Sequence, residues 1–260
     1  MKKFMIPAII LLVAGGYFLP SAISQTTAIE PDPDLKSPAE LVKKYPSMAE
    51  GTTRPENKKI LCPFLRILER AGMFDAAAEE QGPLTTSIIR VATAAREFGC
   101  TLLACGGVAT KVSMGQAGNG TSSTGMVNLE ALHTAEGVAH ECGLTFAPGG
   151  TEISDAVRES TLAMLAEEAE ENGRLSFHAI DKVKNSICAE QGVAISEAGA
   201  IEVKLIYTFL GGMDRGYVDL SDVRRLFYAE MPETKNRTWI GPDLFKELDR
   251  QLKQGGQRSE

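Results

Sequence analysis

The chain has 260 residues, 43% hydrophobic and 6% aromatic, with a formal net charge of −7. That balance excludes a disordered or collagen-like polymer and allows one large domain or two small ones. It also argues against a nucleic-acid partner, because no basic run exists to neutralise phosphates. In chain order, Met1–Ser24 places Lys2-Lys3 before the apolar run Phe4–Phe18 and closes on Pro20 and Ser21-Ala22-Ile23-Ser24. This is the charge, apolar core and small-residue order of a secretory signal, with cleavage expected after Ser24 and the mature chain secreted or periplasmic. Left uncleaved, the same run would be a membrane anchor, though it is short for a span; after cleavage no stable span is expected.

Gln25–Lys59 is rich in proline and charge (Pro31, Pro33, Pro38, Pro46, Pro55) and reads as an extended leader, with folding starting near Ile60. From there the apolar spacing is helical. Phe64, Leu65 and Leu68 share one face, Ile88, Val91 and Ala95 another, and Ile153, Val157, Thr161, Met164 and Leu165 form a stripe opposite the solvated Glu167–Glu171. Further amphipathic stretches cover Phe177–Cys188, Ala200–Leu210 and Asp222–Glu230, the last with Ser221 as N-cap and Pro232 as its stop. Period-2 alternation is nearly absent, and Gly115–Gly125 reads as a long irregular loop. The expected fold is mainly α: a single helical domain over residues 60–237, followed by a C-terminal tail or helix over 238–260.

Several constellations fail on their own chemistry. Gly115–Gly125 lacks the Gly-Lys-Ser/Thr ending that cradles phosphate, and Asp214–Asp222 puts Gly211, Met213 and Arg215 where a calcium loop needs oxygen ligands. No serine has a nucleophile-elbow setting, and His133, His140 and His178 lack zinc spacing. The five cysteines, Cys62, Cys100, Cys105, Cys142 and Cys188, are an odd number for an exported chain. Two bridges among the last four would leave Cys62 free; five reduced, buried thiols is the other arrangement. Cys62 precedes Pro63 at the head of an apolar-periodic helix, so it falls at the N-cap, where free amides and the helix dipole would lower its pKa and suit it to iron. A lone Cys-Pro pair is more commonly a buried thiol capping a helix.

The run Cys62-Pro63-Phe64-Leu65-Arg66-Ile67-Leu68-Glu69-Arg70-Ala71-Gly72-Met73-Phe74 resembles the opening Pro-Cys-Pro segment of the haem-thiolate peroxidases, the family of chloroperoxidases and unspecific peroxygenases. Gly216–Pro232 is similar to that family's terminal helix, which closes on a Met/Leu-Pro. The resemblance implies haem b held by the Cys62 thiolate, with Pro63 beside it, in an exported enzyme. Such an enzyme uses hydrogen peroxide to oxidise or oxygenate a small apolar or aromatic substrate, with halide oxidation as a family option. It implies Glu202 as the distal acid, with Glu197 as the alternative. It also implies magnesium at a Glu-Gly-Asp-like motif, matched here by Glu136-Gly137-Val138 with valine in the aspartate's place; a second register reads His140-Glu141-Cys142. The arginine that partners the distal glutamate in one branch has no counterpart, since Ile195 stands there, and His140 or His133 takes the charge-stabilising part. A haem carrier or sensor with little turnover, and a cofactor-free helical interaction protein, are the competing expectations.

Overall fold

The computed structural model describes residues 35–78 and 82–256. The expected signal at Met1–Ser24 lies outside the described residues. Among the described residues no helix is long and apolar enough to cross a membrane.

The fold is mainly α, as the periodicity requires, and most of its longer helices begin where a serine or threonine side chain accepts from a first-turn amide. The leader, however, is not extended throughout. Ser37 opens helix α1 (Pro38–Lys44) with a complete capping box to Glu40, and a 3-10 turn follows at Pro46–Met48. Leu41 and Met48 from this stretch are fully buried, so the domain starts well before Ile60. Proline did not break this helix because Pro38 sits at its first turn, where a missing N–H costs nothing.

Helix α2 (Pro63–Arg70) follows Cys62, and a single turn, α3 (Asp75–Ala78), leads to strand β1 (Thr85–Ser87). Helix α4 (Ile88–Glu97) is capped by Ser87, and helix α5 (Leu102–Gly118) by Thr101. The expected loop at Gly115–Gly125 therefore begins as the last turn of α5, through Gly118. Gly115 allows it, because a Cβ there would stand 2.7 Å from the Glu136 amide nitrogen. Buried Gln116 then fastens strand β2 (Met126–Asn128) by bonds to and from the Asn128 backbone, both 2.9 Å. β2 pairs antiparallel with β1, Thr86 opposite Val127.

Helix α6 (Asp155–Glu168) is capped by Ser154, and β3 (Arg174–Leu175) leads to α7 (Phe177–Glu190), capped by Ser176. Ser196 caps α8 (Glu197–Phe209), the short α9 spans Gly212–Arg215, and β4 (Val218–Asp219) pairs antiparallel with β3. That pairing holds Asp219 as the residue before α10 (Leu220–Phe227), so Ser221 lies inside the first turn and is not the cap. Helix α11 (Pro242–Gly256) belongs to the same body: Leu244 and Leu248 are buried, and Thr101 N–H donates to the Ile240 carbonyl at 2.9 Å.

One buried cluster runs through α2, α4, α7, α8 and α10. The two segments that carry the family resemblance meet within it. The bare carbonyls at the end of α10 are taken by arginines: Arg66 and Arg158 donate to Phe227 O at 2.8 and 3.0 Å, and Arg70 to Tyr228 O at 2.6 Å. Glu56 balances two of them, 2.7 Å from Arg158 and 3.4 Å from Arg66.

α1 is tied to α4 through Glu97. Burial alone would raise this carboxyl, but hydrogen bonds from Lys36, Lys44 and Tyr45 outweigh burial and hold it down to about 2 from 4.5. A carboxyl lowered on folding contributes stability that is complete above its unfolded value and is lost as pH falls from 4.5 through about 2. Melting temperatures of the native chain and of Glu97→Gln should therefore differ at neutral pH and converge near pH 2; a gap that persists in acid would contradict this.

Candidate functional site

Among the described cysteines, Cys100 pairs with Cys105 and Cys142 with Cys188, leaving Cys62 the free thiol. Cys62 is the N-cap of α2, half-buried and packed against the core. The expected lowering of its pKa does not follow. Burial pushes the thiol up and outweighs the Leu65 and Phe64 amides and the Arg66 guanidinium, while the charge of Glu202 adds to the rise. The first turn of the helix does favour the thiolate, but desolvation is the larger effect.

Glu202 is itself held by a buried partner. Glu202 stands on α8 with its side chain 10% exposed, and its Oε2 is 2.5 Å from Nζ of Lys184 on α7. Lys184 is fully buried, and its ammonium also donates to the Cys142 carbonyl. His140 joins the same group: its Nδ1 is 2.9 Å from the Cys142 carbonyl and its Nε2 is 3.9 Å from Glu202. A carbonyl only accepts, so Nδ1 carries the hydrogen and Nε2 faces the carboxylate. The Cys142–Cys188 bridge thus pins one carbonyl that orients both Lys184 and His140 beside Glu202.

The loop that carries His140 is fixed by packing around Phe146. Its ring lies 5.3 Å from that of Phe146, and Phe146 is buried with Leu61 and Ile153. Gly143 is needed here, because a Cβ would stand 2.1 Å from the Phe146 ring.

Other expected residues stand apart. Glu197 is exposed in the first turn of α8. His133 is exposed in the 3-10 segment Leu129–Thr134, and Glu136 and Gly137 are exposed on the turn beyond it. Among the described residues no group of three or more His, Cys, Asp or Glu side chains could hold a metal ion. The donor chemistry at Cys62 does suit haem iron: an unpaired sulfur ahead of Pro63, backed by helix amides and by Arg66 one turn on. Two surface clefts, about 500 and 610 Å³, are lined by other residues, the first by Arg54–Lys59 with Glu69 and Glu152.

Periodicity alone did not single out Lys184. Its signal was there, since it falls within the apolar stripe of Ile180, Val183 and Ile187, where a lysine is costly without a partner. No family model, no curated protein and no solved structure matches the chain.

Proposed function

We propose that this protein is an exported haem-thiolate peroxidase or peroxygenase that uses hydrogen peroxide to oxidise a small apolar or aromatic substrate. The observation that carries the reading is the pairing of one unbridged cysteine at a Pro-initiated helix with a buried, cation-held carboxylate close by. Two disulfides in the same chain agree with an oxidising compartment.

When bound, haem b supplies the iron at which peroxide reacts. Cys62 would hold the iron through its sulfur, with the helix amides and Arg66 favouring the thiolate against the larger effect of burial. Glu202 Oε2 would be the group that holds and passes a proton beside the peroxide, work for which a carboxylate must be fixed in place. Lys184, 2.5 Å away, holds the carboxylate in place, and His140 Nε2 stands 3.9 Å from it.

Glu202→Gln keeps the shape and removes the acid. Peroxide-dependent dye oxidation by the haem-loaded protein should fall by about 10²–10⁴-fold, the usual worth of a general acid–base group. Glu197→Gln should stay near native. Full activity in Glu202→Gln would remove the proton-transfer role, and a haem-loaded native chain without turnover would make the protein a carrier.

A further inference from the structure

α5 has 17 residues and one charge, Lys111, a composition usual for a helix surrounded by protein. It is nonetheless open on one side. Leu103 is 64% and Met114 67% exposed, with Leu102 and Val108 flanking them, and Ile89 at the start of α4 is 77% exposed. Among the described residues only Ile201 is another large apolar side chain so exposed. Leu103 and Met114 share a helix face with Gly107 and Gly118, around which nothing stands within 4 Å.

Charge and chain direction say what covers this face. The chain as a whole is acidic, yet α4 and α5 display Arg90, Arg96 and Lys111, and their one acid, Glu97, is held by Lys36 and Lys44. The first described residue, Leu35, packs at Gly99, where an added Cβ would meet its Cδ2 at 2.7 Å. The described chain thus begins at the corner that carries Leu102 and Leu103, and the apolar run Phe4–Phe18 lies earlier in the sequence. We propose that the exposed face of α4 and α5 docks on an anionic lipid surface, its apolar side chains entering the headgroup boundary and Arg90, Arg96 and Lys111 meeting lipid phosphates. A second copy fits less well, because pairing like faces about a two-fold axis brings the same cations together.

The test is flotation of the full chain with vesicles of phosphatidylcholine containing phosphatidylglycerol, beside vesicles of phosphatidylcholine alone. Native protein should prefer the anionic vesicles and release with salt. Leu103→Glu with Met114→Glu should bind at least about ten-fold more weakly, and Arg90→Glu with Lys111→Glu should lose the anionic preference. All the variants keep the native N-terminus, so binding equal to native in both pairs would assign attachment to that segment and overturn the proposal. A native dimer in sedimentation that becomes monomeric in Leu103→Glu/Met114→Glu would overturn it in favour of a second copy. The second pair alters exposed positions only, and decides the matter should the first fail to fold.

Discussion

Lys184→Met should be among the most damaging single substitutions in the described chain, costing about 3–5 kcal/mol, the range for removing one member of a buried ion pair. The methionine fills the space but leaves Glu202, its side chain 10% exposed, without the ammonium 2.5 Å away, and leaves the Cys142 carbonyl short of a donor. Denaturant unfolding measures the loss. The double variant Lys184→Met/Glu202→Leu should recover much of it, because an apolar pair of similar size removes the stranded charge. Lys184→Arg should retain part of both stability and peroxide activity. A cost under about 1 kcal/mol for Lys184→Met would mean that water replaces the pair and that Glu202 is not confined.

Removing the Cys142–Cys188 bridge should come next. Its cysteines are 46 residues apart, and closure of such a loop in the unfolded chain is worth about 4 kcal/mol, against about 2 kcal/mol for Cys100–Cys105, only 5 apart. Serine at both positions of the longer bridge should also impair peroxide turnover, since the Cys142 carbonyl holds Lys184 and His140. Serine at Cys100 and Cys105 should cost less stability and leave turnover near native. Equal losses from the two pairs, in stability and in activity, would contradict this division.

Much of the architecture was legible because local signals and burial agree. Ser87, Thr101, Ser154, Ser176 and Ser196 each precede an apolar-periodic run, and each accepts a bond from an amide of its helix. Where signals compete, tertiary structure decides. The prolines of the leader hid the Ser37–Glu40 capping box, the glycines of α5 hid its last turn, and the strand before α10 moved the helix start off Ser221. The site was legible in part. Glu202 and His140 come together and Cys62 is the unbridged cysteine, whereas Glu197, His133, Glu136 and Gly137 lie on exposed turns. Lys184 escaped because helical periodicity records which face is buried and not which polar atom waits there. The rise of the Cys62 thiol escaped because the N-cap is local while desolvation depends on everything packed around it.

The central claim is sulfur ligation, and the absorbance spectrum tests it most directly. Purified protein is loaded with haem, reduced and exposed to carbon monoxide, beside Cys62→Ser treated identically. A strongly red-shifted Soret band in the native chain, absent from Cys62→Ser, is the expected result. A native chain with no haem band, or with a band that Cys62→Ser retains, would contradict the account and leave Cys62-Pro63 as the cap of a helix.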